Sequence, residues 1–249
     1  MAPSIDYIKA EWPAPANVRA VSTLRSGGVS VAPYDSLNLG HHVGDAAEAV
    51  AENRRRVRET LALPNEPVWL NQVHGVDVVS AQGAPGIPCA DASVVDAVGT
   101  VAAVLTADCL PVVLCDRRGT RAAVAHAGWR GLLAGILERT VSSMHTERGE
   151  LLAWLGPAIG PGAFEVGTEV RDAFVSADAR AADAFTQNTR GRWQANLCAL
   201  ARQRLAAAGV TAVYGGAFCT YSDERRFFSY RRDGETGRMA TLAWLESAG

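Results

Sequence analysis

Three short apolar segments lie close together in the middle of this chain, and the connections between them are too short to contain crossover helices. The segments comprise residues 101–105, 111–115 and 121–125. Strands joined by tight turns pair antiparallel, whereas a parallel pair needs a crossover of about a dozen residues or more. Residues 116–120 suit the turn of a hairpin. The pattern therefore favours an α+β fold with a mixed sheet over a doubly wound parallel fold.

Helix and strand patterns continue on both sides of this region. Asp45 and Glu48 are spaced like the cap and third residue of a helix, which an apolar stripe extends to Pro64. Further helices are predicted at residues 130–144, 169–175 and 196–208, and further strands at 17–24, 68–72, 76–80, 151–155, 210–214 and 227–230. Because the sequence shows no repeat or linker, we expect residues 1–249 to form a single domain.

Composition excludes several classes of function. The 249 residues carry a formal net charge of −2, so a nucleic-acid-binding surface is not expected. Lys9 is the only lysine among 24 basic residues, which leaves no lysine elsewhere for a Schiff base or a phosphate-binding loop. Any bound anion must then be held by arginine side chains or backbone amides.

The sequence also predicts a cytoplasmic protein without a membrane partner. The N-terminal residues show no signal peptide pattern. The longest apolar run, residues 98–115, contains Asp108 and Pro111, which indicates buried strands instead of a membrane span. Five cysteines without a secretion signal do not indicate a disulfide framework.

A thiol and an imidazole are predicted to meet at the end of the central hairpin. If Pro111 lies opposite Ala125, then Cys109 and His126 reach the same end of the two strands. His74 follows another predicted strand and would complete a Cys/His/His set. Three protein ligands with an open fourth position are the arrangement of a catalytic zinc site, in which the metal activates water.

The spacing leaves other interpretations of these residues open. They could be a core thiol and two hydrogen-bonded histidines. Cys109 could instead be a nucleophile, with His126 as its base and Asp108 or His74 as the group that orients the imidazole. A structural zinc site would need a fourth protein ligand, for which the candidates are Cys89, Cys115 and His42.

Four further polar residues are candidates for a binding site. Arg25 precedes Gly27-Gly28, where a backbone without side chains can approach a ligand closely, and is the first candidate to bind an anion. Arg231 and Arg232 are the next candidates. Asn38 stands between two leucines and is either a turn anchor or a group of the site.

Several motifs in unbroken order resemble those of the YfiH-like laccase-domain family. They include Gln72-Val73-His74-Gly75, Thr106-Ala107-Asp108-Cys109-Leu110-Pro111 and His126-Ala127-Gly128-Trp129-Arg130-Gly131, together with residues 23–30, 33–40, 42–45, 155–161, 164–167 and 228–232. The resemblance implies a mixed-sheet sandwich flanked by helices, similar to a cysteine-hydrolase-like toxin domain. It also implies that His74, Cys109 and His126 bind a metal, normally zinc.

The same resemblance implies a purine nucleoside phosphorylase that acts on adenosine, inosine and methylthioadenosine and also deaminates adenosine. Nucleoside and phosphate would be its partners, and the protein would be a monomer or a small homo-oligomer. Given that activity, Arg25 is the first candidate to bind phosphate and Arg231 or Arg232 the next, while Asp108 or Asn38 would orient a ligand imidazole or contact the ribose. Where many members of the family have cysteines, this chain has Ala158, Gly162 and Ala163, so those positions hold no required ligand.

Other members of the family are described as multicopper polyphenol oxidases or peptidoglycan editing factors. A multicopper oxidase needs a cluster held mostly by imidazoles together with a blue-copper site. Five histidines and the absence of a His-Cys-His run make copper the less favoured metal. The alternative hypothesis is a metal-free Cys–His hydrolase that cleaves an amide, such as that of a cell-wall precursor.

Overall fold

The computed structural model describes residues 5–83 and 86–247 of the chain. The strands in this part are β1 (Tyr7–Lys9), β2 (Val18–Thr23), β3 (Val78–Ser80), β4 (Ala92–Val95), β5 (Val101–Thr106), β6 (Leu110–Asp116), β7 (Ala122–Ala127), β8 (Leu151–Leu155), β9 (Glu165–Val166), β10 (Phe185–Gln187), β11 (Trp193–Ala195), β12 (Ala212–Gly215) and β13 (Met239–Leu245). The helices are α1 (Ala47–Thr60), α2 (Trp129–Ala134), α3 (Ile136–Ser143), α4 (Thr168–Ala177), α5 (Leu197–Ala207) and α6 (Tyr230–Asp233).

Two large sheets organise these elements. One has six strands in the order β12-β8-β6-β7-β4-β3, and the other has four in the order β1-β2-β13-β5. The four-stranded sheet is antiparallel throughout, whereas the six-stranded sheet ends in two parallel pairs, β12 with β8 and β3 with β4. Strands β10, β11 and β9 form a small antiparallel sheet of their own. The predicted α+β class with a mixed sheet is confirmed.

The two large sheets pack face to face, because alternate strand residues point to opposite sides of a sheet. Val104 of β5 and Ala243 of β13 share one buried apolar cluster with Val113 of β6 and Val124 of β7. The outer face of the six-stranded sheet packs against α3 and α5, and the outer face of the four-stranded sheet packs against α1. The result is the predicted sandwich flanked by helices.

The central hairpin forms, but its predicted register is wrong by one residue. Pro111 lies opposite His126 instead of Ala125. The carboxylate of Asp116 accepts hydrogen bonds from two backbone N–H groups at the end of the turn, at 2.7 and 3.1 Å. Strand β6 therefore continues to Asp116, and the turn begins one residue later than expected. The shift still leaves Cys109 and His126 at the same end of the hairpin.

Other predicted elements also need correction. In the described structure, residues 68–72 make only isolated bridges, and residues 227–230 form no strand. The helix predicted at 130–144 is divided into α2 and α3 at Gly135, whose φ of 103° is left-handed. Helix α1 begins after Ala46, because the carboxylate of Asp45 binds the side chains of Ser30 and Asn38 and does not cap the helix.

Candidate metal centre and substrate cavity

Three potential metal ligands meet at the ends of strands from both large sheets. His74 lies in the loop before β3, Cys109 lies between β5 and β6, and His126 lies near the end of β7. One ligand atom from each residue lies within 4.8 Å of the other two. The two imidazole rings stand edge to face, with their centroids 4.7 Å apart. The structure thus brings together the three residues that the sequence singled out as metal ligands.

Gly128 leaves space for this cluster. A Cβ atom at this position would lie 2.9 Å from His74 Nδ1 and 3.0 Å from Cys109 Sγ. The backbone at Gly128 has a φ of −61° and a ψ of 157°, which other residues adopt readily. Glycine is therefore needed here for space and not for conformation. It keeps the space next to the His74 imidazole and the Cys109 sulfur free of a side chain.

Asp91 connects two of the three residues, and the sequence analysis missed it. Its fully buried carboxylate accepts hydrogen bonds from His126 Nδ1 at 2.8 Å and from the backbone N–H groups of Val73, His74 and Gly75 at 3.1, 3.0 and 2.7 Å. Because Nδ1 of His126 is directed at Asp91, Nε2 is left for Cys109 and the cavity. The only sequence signal was an acidic residue directly before a buried strand.

The surroundings of His126, His74 and Asp91 shift the pKa values of these three side chains. Burial opposes protonation of His126, but the Cys109 thiolate and the hydrogen bond to Asp91 raise the pKa of His126 to about 9. Burial and the nearby His126 lower the pKa of His74. Burial also opposes ionisation of Asp91, yet hydrogen bonds from His126 and Gly75 hold the pKa of Asp91 below its ordinary value. The surroundings thus favour the charged form of His126 and the neutral form of His74.

A cavity of about 560 Å³ opens beside the three residues. This volume is in the range of pockets that bind small molecules. Its walls combine aromatic and cationic side chains, which include Trp129, Phe164, Tyr230, Arg130, Arg231 and Arg238. A cavity with this lining can accommodate a planar ring system together with an anion.

Asp108 lines the cavity, but its carboxylate holds a neighbouring loop together. Oδ1 accepts a hydrogen bond from the Thr220 hydroxyl at 2.6 Å, and Oδ2 accepts one from the Ser229 hydroxyl at 3.0 Å and one from the Arg231 backbone N–H at 2.6 Å. The carboxylate that orients a cluster imidazole is Asp91. The expectation that Asp108 would orient a ligand imidazole is therefore corrected.

Arg25, the first candidate to bind phosphate, lies away from this cavity. Its guanidinium donates hydrogen bonds to the backbone oxygens of Asp35 and Glu224, at 3.0 to 3.1 Å, and stacks over Phe228. It lines a separate cleft together with Arg232. Of the three arginines proposed from the sequence, Arg231 is the one that the structure places in the wall of the cavity.

Asn38 is a turn anchor, one of the two roles that the sequence left open. Its side chain is fully buried. Oδ1 accepts hydrogen bonds from the backbone N–H groups of Gly40 and Arg238, both at 2.9 Å, and Nδ2 donates to Asp45 at 2.9 Å. Asn38 thus fixes the backbone that carries Arg238 to the cavity. The sequence analysis did not select Arg238 as a site residue.

The candidates for a fourth ligand lie outside the cluster. Cys89 is exposed, and Cys115 is buried between the two large sheets. His42 lines the cavity, but within residues 5–83 and 86–247 the group of closely spaced ligand atoms comprises His74, Cys109 and His126. A three-residue group leaves a coordination position open.

None of the helices in the described part of the chain is long and apolar enough to span a bilayer.

Known proteins share both the sequence and the fold. Residues 19–246 match the family described as multi-copper polyphenol oxidoreductase laccase. A purine nucleoside phosphorylase of Pseudomonas aeruginosa is 58% identical over 241 residues, which cover 96% of this chain and 98% of that protein. Purine nucleoside phosphorylase YfiH of Escherichia coli is 56% identical over 236 residues, which cover 94% and 97% of the two chains.

Two solved structures are similar to this chain in both fold and sequence. A Neisseria meningitidis protein superimposes with a TM-score of 0.94 at 52% identity, covering 97% of this chain and 99% of that one. The Bacillus licheniformis hypothetical protein YfiH superimposes with a TM-score of 0.88 at 29% identity, covering 92% and 93%. The chain therefore belongs to the YfiH-like laccase-domain family.

Proposed function

We propose that the protein is a zinc-dependent purine nucleoside phosphorylase of the cytoplasm, acting on adenosine, inosine and methylthioadenosine, and that it also deaminates adenosine. The observation that carries the proposal is an open cluster of His74, Cys109 and His126 beside a cavity with cationic walls. The names of relatives at 56–58% identity support the purine nucleoside phosphorylase activity. The substrates are a nucleoside and phosphate, and we expect a monomer or a small homo-oligomer.

The residues present fit a zinc ion. Two imidazoles and a thiolate are a donor set that Zn²⁺ uses, and Gly128 keeps the gap between His74 Nδ1 and Cys109 Sγ free of a side chain. Asp91 holds His126 in the tautomer that leaves Nε2 available. When bound, zinc supplies Lewis-acid chemistry by polarising an oxygen atom of water or substrate.

A multicopper mechanism does not fit the ligands. Such an enzyme needs a cluster of several copper ions held mostly by imidazoles and a separate blue-copper site. In the part of the chain that the structure describes, the His74, Cys109 and His126 group is the one close set of metal-ligating side chains. The metal ligands of this chain therefore do not support the multicopper chemistry named in the family description.

In phosphorolysis, an oxygen of hydrogen phosphate forms a bond to C1′ of the ribose while the bond from C1′ to purine N9 breaks. The purine leaves with the electron pair of that bond and takes up the proton from hydrogen phosphate, so that ribose 1-phosphate and the free base result. Arginine guanidinium groups in the cavity wall neutralise the phosphate and orient it for attack. In deamination, water replaces the 6-amino group of adenosine, and inosine and ammonia result.

The test measures metal content by mass spectrometry on tag-free protein, alongside adenosine and inosine turnover with and without phosphate. The wild type should contain about one zinc ion per chain, and Cys109→Ser should remain folded while losing both metal and turnover. Cys89→Ser is the matched control, because Cys89 is exposed and lies outside the cluster. A metal-free wild type with full turnover would refute the zinc proposal.

One observation favours a second candidate, a metal-free cysteine hydrolase that acts on an amide such as that of a cell-wall precursor. The hydrogen-bonded series Cys109–His126–Asp91 has the order of nucleophile, base and orienting carboxylate. This candidate predicts that alkylation of Cys109 abolishes activity and that chelators leave it unchanged. The zinc enzyme predicts inactivation by chelators and recovery when zinc is added back.

A further inference from the structure

We propose that Arg238 binds the phosphate co-substrate, at the junction between the main cavity and a side cleft that extends from it. This inference rests on the proposed phosphorylase function and names the anion site of that reaction. The side cleft has a volume of about 320 Å³ and is lined by Thr236 and Glu235 among others. His42, Tyr230 and Arg238 line both spaces, so the two are adjacent.

The guanidinium of Arg238 is held in place but retains free donors. Its Nη1 donates hydrogen bonds to the backbone oxygens of Thr236 at 2.8 Å and Gly237 at 3.0 Å. A Cβ atom at Gly40 would lie 2.8 Å from Cγ of Arg238, so the stem of the side chain packs tightly on that glycine. The hydrogen bond from its backbone N–H to Asn38 fixes the start of the side chain. Nε and Nη2 make no hydrogen bond to residues 5–83 or 86–247 and are available to a ligand.

The charge of Arg238 also indicates an anionic ligand. In the described structure, no carboxylate forms an ion pair with Arg238. Burial lowers the pKa of Arg238, which is the signature of a cation removed from water. The nearby Asp108 offsets part of this effect without forming an ion pair, and an oxyanion bound through two N–H groups would stabilise the guanidinium further.

A second polar group in the side cleft has no partner within the described protein. Thr236 is 1% exposed, and its hydroxyl oxygen is buried without a hydrogen bond. Buried hydroxyls normally find a partner, and a phosphate oxygen at the neighbouring Arg238 would supply one. Glu235 also lines the cleft, but it is exposed, and one of its carboxylate oxygens accepts a hydrogen bond from Tyr34.

The other arginines near the cavity are less suited to this role. Arg231 donates to the backbone oxygen of Glu165 at 2.9 Å, and Arg130 stacks over Trp129 with 4.4 Å between the guanidinium carbon and the ring centroid. Neither of the two lines the side cleft. Arg238 is the arginine shared by both spaces, so a phosphate bound there lies beside a nucleoside in the main cavity.

The experiment compares Arg238→Gln with the wild type in two reactions of the zinc-loaded enzyme. Inosine phosphorolysis is measured over a range of phosphate concentrations, and adenosine deamination is measured in phosphate-free buffer. We expect the KM for phosphate to rise at least ~10-fold, equivalent to about 1.4 kcal/mol of binding, while the KM for inosine and the kcat/KM of deamination change by a smaller factor. Arg238→Lys keeps the charge without the planar fork, so it should recover part of the loss.

Direct binding gives a readout that does not depend on activity. Inorganic phosphate without nucleoside should raise the unfolding temperature of the wild type in a concentration-dependent way, and Arg238→Gln should abolish this shift. Arg225→Gln is the matched control, because Arg225 is exposed and lines the separate cleft of Arg25. It should leave both the shift and the KM for phosphate unchanged.

If Arg238→Gln does not fold, Thr236→Val tests the same phosphate site. The substitution keeps the volume and removes only the unpartnered hydroxyl, so we expect an unfolding temperature no lower than that of the wild type together with a raised KM for phosphate. An unchanged KM for phosphate in the folded variants would overturn the assignment to Arg238. If the wild-type protein fails to cleave inosine at every phosphate concentration tested, the proposed function itself is refuted.

Discussion

Adding one methyl group to Gly128 should weaken metal binding while leaving the fold in place. The Cβ atom of Gly128→Ala would lie 2.9 Å from His74 Nδ1 and 3.0 Å from Cys109 Sγ, whereas ordinary contacts begin at 3.4 Å. The two side chains must therefore retreat by about 0.5 and 0.4 Å. Metal sites tolerate ligand distances within about 0.2 Å of their ideal values. The required displacement is twice that tolerance.

The effect on stability should be small by comparison. Because Gly128 has a backbone conformation open to alanine, the substitution reduces the entropy of the unfolded chain, which stabilises the protein by about 0.4–1 kcal/mol. Crowding of the cluster costs about 1–3 kcal/mol. At roughly 2–4 °C per kcal/mol for a chain of this size, the unfolding temperature should fall by less than ~10 °C. The affinity for zinc should fall at least ~10-fold, as for other disturbances around a metal site.

The assay is competition for zinc between the protein and a chelator, with metal content measured by mass spectrometry and unfolding followed by circular dichroism. Gly162→Ala is the matched control, because no atom lies within 4 Å of its added Cβ. It should keep the zinc affinity of the wild type. A folded Gly128→Ala protein that binds zinc as tightly as the wild type would refute the assignment of the gap to a metal ion.

Three further substitutions separate the roles of polar residues near the cavity. Asp91→Asn should weaken zinc binding ~10–100-fold, because the amide no longer fixes the tautomer of His126; chelator competition measures this, and an unchanged affinity would contradict the orienting role. Arg25→Gln should lower the unfolding temperature, because two backbone oxygens lose their donors, but should leave the KM for phosphate unchanged; a raised KM would restore the role predicted from the sequence. Asn38→Ala should lower the free energy of unfolding by about 1–3 kcal/mol for each N–H group left unpaired, as measured by denaturant unfolding. It should also raise the KM for phosphate, because the backbone of Arg238 loses its hydrogen bond to Asn38.

The sequence predicted the central strands and the meeting of Cys109 with His126, because both follow from local patterns, whereas His74 joined the predicted cluster through the family motifs. Apolar runs interrupted by a short polar turn determine the hairpin, and the hairpin brings Cys109 and His126 to one end. Strand β13 was not predicted, although it is the neighbour of both β2 and β5. Its partners lie more than 130 residues away in the sequence, and no local pattern reports such pairing. The segment at 227–230 was mistaken for a strand because Phe227 and Phe228 are buried without joining a sheet.

The roles of the polar residues could not be obtained from the sequence for a related reason. A carboxylate or an arginine next to a motif has no preferred partner until the fold places one beside it. Asp108 is next to Cys109 in the chain, yet its carboxylate binds residues more than 110 positions away. Asp91 is remote from His126 in the sequence and binds it directly. Proximity in the chain therefore suggested the wrong carboxylate.

The two candidate chemistries of the cluster differ in whether Nε2 of His126 carries a proton or binds a metal ion. The carboxylate of Asp91 accepts a hydrogen bond from Nδ1–H of His126 in either case. In the metal-free protein, the Cys109 thiolate and Asp91 raise the pKa of His126 to about 9, so Nε2 also carries a proton and the pair resembles that of a cysteine hydrolase. A metal ligand must be deprotonated at the atom that binds, so a cation at this site displaces the Nε2 proton. The same three residues and the same carboxylate thus serve either hypothesis, and zinc occupancy decides which chemistry the cavity performs.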